Sequence, residues 1–154
     1  MLAANSDIAA GVKNSDVDFK NTFLTTYNIL NECDKFMNKE TKILFASSSA
    51  IYGTVKNVIS ENTAPLKPES NYGSMKAACE SFISSYSNKN SLKSFIFRFP
   101  NVVGTNLTHG VIYDLSKKIL TNKKHLDVLG NGHQCKPYSD VSEIINCMIF
   151  LKEK

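Results

Sequence analysis

The chain has 154 residues, 42% of them hydrophobic and 21% charged, and a net charge of +4 carried by 17 Lys and one Arg. This is the make-up of one globular domain or a piece of one, not of a disordered or fibrous chain. No basic stripe is interleaved with aromatics, which disfavours nucleic acid as a partner and leaves the lysines as solvated surface.

No apolar run reaches the ~18–20 residues of a membrane helix, so no membrane partner is expected. The first residues lack a basic stretch followed by an apolar one, so no signal peptide is read and a cytoplasmic location is expected. Cys33, Cys79, Cys135 and Cys147 show no CxxC spacing, and His109, His125 and His133 form no ligand cluster. Neither a metal site nor a disulfide is expected.

In chain order, Leu2-Ala3-Ala4 reads as the end of a strand. Asp18 to Met37 carries a helical stripe through Phe19, Phe23, Tyr27, Leu30 and Phe36. Ile43 to Ala46 is a short apolar strand, buried on both faces. Ser47 to Pro68 is rich in turn formers and reads as loop. A helix runs from Ser70, its candidate N-cap, to Asn88. Ser94 to Phe99 is a second strand, stopped by Pro100. Val111 to Leu120 is helical, Leu126 to Leu129 a strand closed by Gly130-Asn131-Gly132, and Ser139 to Lys152 a last helix. Strands alternating with helices predict an α/β fold with a parallel sheet.

One constellation carries chemistry. Tyr72 and Lys76 stand four apart at the start of a helix and so share a face, and Ser48 ends the preceding strand. A cation beside a phenol favours the phenolate, and a serine hydroxyl close by could hold a substrate oxygen. Spacing alone is weak support, because Tyr52/Lys56 and Tyr113/Lys117 repeat it. Only Tyr72 opens a helix after a serine-bearing strand end. On the motif alone, a half-exposed aromatic beside a solvated lysine explains the pair equally well. A dinucleotide fold also needs a glycine-rich turn between strand and helix, and none of the seven glycines forms one. The nearest, Gly130-x-Gly132, runs into Lys136-Pro137 and reads as a turn.

Several segments together resemble the extended short-chain dehydrogenases/reductases, in particular the NAD-dependent nucleotide-sugar epimerases and dehydratases similar to UDP-glucose 4-epimerase. They are Leu2-Ala3-Ala4; Asp18 with Asn21 and Thr25; Phe45 to Gly53; Asn71-Tyr72-Gly73-Ser74-Met75-Lys76; Arg98 to Gly104; and Val128 to Val141. The resemblance implies a partial Rossmann-like three-layer fold. Residues 1–104 would be the later part of a dinucleotide-binding domain and residues 105–154 the start of a substrate-binding region. It implies a fragment, without the glycine-rich loop in front and the final segments behind.

The same resemblance implies NAD as cofactor, with Ala3, Asn21, Ala46, Ser47, Tyr72, Lys76 and Phe99 beside it. It implies catalysis by Ser48, Tyr72 and Lys76, and a UDP-sugar held by Ser48, Asn101, His109 and Lys136. Lys136 stands where relatives usually carry an Arg, and a lysine lacks the bidentate fork that clamps a phosphate. Arg98, mid-strand, reads as a structural pair. Relatives that eliminate water carry acids after the catalytic hydroxyl. Here Ser49 and Ala50 follow Ser48, which favours epimerisation. Another sugar-nucleotide oxidoreductase, or a non-catalytic remnant acting as an interaction module, are the alternatives. A homodimer or a completing chain is the expected protein partner.

Overall fold

The computed structural model describes residues 1–122, 124–128 and 130–154. The chain divides into two compact units, one of Met1–Phe99 with Leu151–Lys154, the other of Pro100–Phe150.

The first unit begins with two short helices, α1 (Ile8–Lys13) and α2 (Ser15–Asp18). Asp7 caps α1 and Asn14 caps α2 through their side-chain oxygens. A π-helical stretch, Phe19–Leu24, then leads into α3 (Thr25–Cys33). The single long helix expected over 18–37 is therefore interrupted. Asp18, Thr22, Thr26 and Leu30 are all at most 1% exposed, at a strict spacing of four. In an α-helix that spacing drifts ~40° per step and would leave the face within three steps. The wider π turn absorbs the drift, as such bulges do. The predicted aromatic stripe lies to one side. Phe36 is 79% exposed, while Phe23 and Tyr27 meet Phe82 with ring centroids 6.1 and 5.5 Å apart.

Strand β1 (Lys42–Ser48) alternates as its pleat requires, with Ile43, Phe45 and Ser47 buried and their neighbours half-buried. The turn Ser49–Tyr52 follows, closed by Gly53 at φ 67°. Helix α4 (Asn71–Asn90) is capped at Ser70, whose hydroxyl accepts the Gly73 amide at 3.1 Å. It ends at Ser91 in the left-handed region, with the Leu92 amide donating to Ser87 O at 2.9 Å. Strand β2 (Lys93–Phe99) runs parallel to β1, Lys42 opposite Lys93 and Ser48 opposite Phe99. Leu30, Ile43, Phe45, Cys79 and Ile83 form the core between strand and helices.

Leu2-Ala3-Ala4, expected as a strand end, forms no strand; the bridge to β1 is made by Met1, the residue before it. Its ammonium donates to Leu44 O and its carbonyl accepts the Ala46 amide at 3.2 Å, the two-bond pattern of a parallel bridge.

In the second unit β3 (Asn101–Val103) and β4 (Tyr138–Asp140) form a parallel pair, Asn101 opposite Tyr138. Helices α5 (Val111–Thr121) and α6 (Val141–Lys152) complete the elements. The strand expected over 126–129 is not formed at Leu126–Val128, and Leu129 lies outside the described residues. The last helix starts two residues later than expected, because Ser139 and Asp140 belong to β4.

Candidate active site

The first turn of α4 packs against the turn that ends β1. A Cβ on Gly73 would lie 2.6 Å from Ala50 O, so only glycine permits this approach. The contact brings Tyr72 to Ser48. The Ser48 hydroxyl also accepts the Ala50 amide at 3.2 Å, which fixes its position at the strand end.

Lys76 lies on the buried face of α4 with Gly73, Cys79 and Ile83, and is 4% exposed. Its ammonium donates to Ala46 O at 2.6 Å and sits 4.9 Å from the Phe45 ring centroid and 5.8 Å from that of Tyr72. Continuing the bridge begun by Met1, the next ladder bond to Ala46 O would come from the Ala3 amide. Lys76 takes that acceptor instead, so its ammonium is anchored where the ladder stops.

Burial pushes the Lys76 ammonium below its ordinary value, with the Cys79 thiolate as a smaller opposing influence. For Tyr72, burial raises the phenol above 10.0, a hydrogen bond from Ser48 lowers it, and the Asp18 charge raises it again. The expected depression of the phenol by Lys76 is not what this arrangement does. Within these residues the stabilising partner is Ser48, and the ammonium is committed to a carbonyl.

Ser47 points to the opposite side of the strand from Ser48. It is buried and gives its hydroxyl to Glu80. Glu80 pairs with Arg98 at 2.8 Å, and Arg98 donates to the Tyr52 hydroxyl and to Glu61 O, each at 2.8 Å. This bears out Arg98 as a structural pair and gives the Tyr52 hydroxyl a partner other than Lys56. The Tyr52 hydroxyl is used by Arg98, and Lys117 stacks over Tyr113 on α5, 5.9 Å from its centroid. Tyr72 stands beside the strand-end Ser48. Sequence reading passed over Glu80, although the one arginine of the chain in an apolar strand demands a buried acid, and Glu80 lies one turn after Lys76.

Of the other candidates in this unit, Phe99 is half-buried opposite Ser48, at the carboxyl end of β2. Ala46 offers the carbonyl that holds Lys76. Ala3 and Asn21 are exposed; Thr22, not Asn21, turns inward, accepting the Asn5 amide at 3.1 Å. In the second unit Asn101 donates to Pro137 O at 3.2 Å, which places it beside Lys136. His109 is exposed and paired with Thr108 at 3.1 Å. A cavity of about 530 Å³ along α5 is lined by Val111, Leu115 and Val128 with Lys117 and Lys118 at its rim.

The donor set suits one end of a dinucleotide. Ligands of open parallel sheets sit at the carboxyl ends of the strands, where Ser48 and Phe99 lie side by side. A lysine ammonium has three donors, and Ala46 uses one, leaving two for a ribose diol. The pyrophosphate end finds no glycine-rich turn in this sequence. Among the described residues no helix is long and apolar enough to cross a membrane, and no acid, histidine and cysteine cluster suits a metal.

Known proteins are similar to this chain in sequence and fold. D-erythronate dehydrogenase of Haemophilus influenzae is 38% identical over 88 residues, 56% of this chain and 27% of that protein. The Thermus thermophilus UDP-glucose 4-epimerase solved with NAD superposes with a TM-score of 0.85 at 27% identity, over 99% of this chain and 51% of that one. The UDP-N-acetylglucosamine 4-epimerase of Methanobrevibacter ruminantium, solved with UDP-N-acetylmuramic acid, gives 0.85 at 25% identity, over 99% and 50%. The chain thus spans about half the length of the solved chains and about a quarter to a third of the curated relatives it matches. The fold is Rossmann-like α/β with parallel strands. All of residues 1–154 match the NAD dependent epimerase/dehydratase family, and the chain belongs to it.

Proposed function

We propose that this chain carries the proton-transfer half of an NAD-dependent nucleotide-sugar 4-epimerase acting on a UDP-sugar, the activity residing in the full-length form. The observation that carries this is the Ser48 hydroxyl facing the Tyr72 phenol at the carboxyl end of β1, with Lys76 anchored beneath. Tyr72 takes the proton from a sugar hydroxyl and later returns it. Ser48 donates to the same oxygen and steadies the ketone form of the sugar. Lys76 offers its two remaining donors to the nicotinamide ribose, and Phe99 with the backbone of Ala46 and Ser47 lines the ring. Ala3 and Asn21 would complete the contacts to the cofactor. NAD supplies hydride acceptance and return, so the reaction has no net redox change. Ala50 contributes no acid, which supports epimerisation over elimination. Asn101 and Lys136 meet the substrate phosphates, and His109 shapes the sugar loop.

In this reading residues 1–104 belong to the dinucleotide-binding domain and 105–154 open the substrate-binding region. A protein partner would be a second copy or a completing chain, and the cytoplasm is the expected place.

The test is interconversion of UDP-glucose and UDP-galactose with NAD supplied, by the protein as its cell makes it, followed by proton NMR of the anomeric signals. Absence of both epimer exchange and any dependence on Tyr72 overturns the proposal. The 154-residue chain alone should bind NAD weakly, because no glycine-rich turn meets the pyrophosphate; stoichiometric tight binding in calorimetry would contradict this.

A second reading has a specific support, the 38% identity to D-erythronate dehydrogenase. There the same trio would serve a net oxidation of a hydroxy acid. Absorbance of NADH at 340 nm separates the two, since only the dehydrogenase accumulates it.

A further inference from the structure

We propose that Arg98 is a positioning residue for Lys76: by holding the Glu80 carboxylate from β2, it stops that carboxylate from pairing with the lysine one turn away and leaves the ammonium directed at the strand ends. The proposal rests on the reading of Lys76 as a contact to the nicotinamide ribose.

Lys76 and Glu80 are both buried on the face of α4 that packs against β1. Residues four apart on a helix are neighbours, with Cβ atoms about 5–6 Å apart. Helical side chains lean toward the N-terminus, which tips Glu80 toward Lys76. A lysine and a glutamate so placed, out of water, attract strongly. Among the described residues, however, no ion pair joins them. The Lys76 ammonium goes to Ala46 O instead, at 2.6 Å.

The reason lies on β2. Arg98 Nε donates to both Glu80 oxygens at 3.2 Å, and Nη2 donates to Oε2 at 2.8 Å. The Ser47 hydroxyl adds a bond to Oε1. Each carboxylate oxygen thus accepts two bonds, which fills its lone pairs. A guanidinium fork matches a carboxylate where an ammonium meets it only as a point charge, so Arg98 is the stronger partner. The other end of the fork is held as well, because Nη1 donates to the Tyr52 hydroxyl and to Glu61 O, each at 2.8 Å.

The other titratable groups around Lys76 do not take the place of Glu80. Helix α4 brings the Tyr72 ring and the buried thiol of Cys79, and Met1 brings an ammonium, which repels. Asp18, the other buried acid among the described residues, is bonded to the Asn5 side chain at 2.7 Å. Burial accordingly holds Lys76 below its ordinary value, against a smaller opposing pull from Cys79. A released Glu80 carboxylate would reverse that balance and draw the ammonium away from Ala46.

The experiment follows side-chain NMR signals in protein carrying ¹⁵N-lysine and ¹³C-glutamate. Lys76 and Glu80 are assigned by the signals lost in Lys76→Met and Glu80→Gln. In Arg98→Met, Lys76 is expected to titrate at higher pH than in the wild type. In the double variant Arg98→Met with Glu80→Gln it is expected to return to the wild-type value or below. Both variants lose the bonds to Tyr52 and Glu61, so a return on removing the Glu80 charge separates competition for Lys76 from general loosening. An unchanged titration in Arg98→Met, or a double variant that stays raised, overturns the proposal. A second measurement needs no Arg98 variant to fold. In the wild type the Glu80 carboxyl signal should stay still while Lys76 titrates, and a Glu80 signal that follows Lys76 shows the two already paired and overturns the proposal. Neither readout requires turnover or bound NAD, so their failure is distinct from failure of the epimerase reading, which sugar exchange decides.

Discussion

The two units differ in how they hold their polar residues. In Met1–Phe99 the chemical residues are fixed by packing: Gly73 against Ala50, Lys76 on a core stripe, Glu80 bonded to Ser47 and Arg98. In Pro100–Phe150 no described residue is buried, and Asn101, His109 and Lys136 stand exposed on turns and strand ends. The proposed proton-transfer residues, which need atoms held to fractions of an ångström, sit in the unit with a core. Recognition of a ligand's phosphates tolerates residues that settle when the ligand arrives.

The sharpest way to break that comparison is Tyr72→Phe. It removes the proton-transfer group and leaves the ring in its packing, so epimer exchange should fall by roughly 10²–10⁴-fold, the usual worth of general acid–base catalysis. Tyr52→Phe and Tyr113→Phe should leave the chemical step nearly intact. Steady-state rates on the three variants check this. A dead Tyr52→Phe with an active Tyr72→Phe would reassign the base.

Next in size is Glu80→Ala. Glu80 is 5% exposed and is the acid for Arg98 and the acceptor for Ser47. Leaving the guanidinium without its acid should cost about 3–5 kcal/mol of stability. Urea unfolding monitored by circular dichroism measures it. The mirror case in the second unit, Asp140→Ala, removes an exposed capping acid and should change stability by no more than about 1 kcal/mol.

The same contrast holds for apolar residues. Ile83 is fully buried and Ile149 is 53% exposed. Ile83→Ala should cost about 2–5 kcal/mol, and Ile149→Ala within about 0.5 kcal/mol, in the same unfolding assay. Equal costs would mean that α6 is packed more closely than its exposure indicates.

What the sequence made legible follows this division. The parallel pairing, the Ser70 cap and the Tyr72–Lys76 face came from local signals: strands alternating with helices, a serine before a helical run, and a spacing of four; the strand expected to be buried on both faces instead buries alternate residues. The π turn was hidden because its cause is tertiary. Asp18, Thr22 and Thr26 look like a polar surface row, and only their common burial reveals the face they share. Glu80 was missed because its partner lies 18 residues away in sequence, on β2. The pairing of β3 with β4 escaped for the same reason, since three-residue strands carry no period. For Asn21 and Ser47 the motif fixes a residue type and not a side-chain direction: Asn21 is exposed beside the buried Thr22, and the Ser47 hydroxyl is bonded to Glu80.

The smallest effect is one of pH, and its sign separates the buried cation from the phenols. Burial depresses Lys76 in the folded chain below its value of 10.5 in the open one. Between those two values the unfolded chain holds a proton that the folded chain has released, so stability rises with pH there. The Met1 ammonium, depressed by burial and by Lys76, acts the same way up to about its ordinary 8.0. Tyr72 is raised above 10.0, so its contribution is fully present below that pH and is lost as pH climbs through its folded value. Tyr86, pushed up to about 12, adds to that loss. Unfolding free energy should therefore climb gently with alkalinity up to about pH 9, above which the buried Cys79 thiol, raised above 9.0, offsets Lys76, and turn down beyond about pH 10. In Lys76→Met the rise above pH 8 should flatten, while the downturn remains, because the phenols are untouched. Denaturant midpoints taken every half pH unit from 7 to 11 make the comparison. A wild-type curve that falls steadily over that range, or a Lys76→Met curve that keeps the same climb, would mean that Lys76 is not the buried cation the packing of α4 against β1 implies.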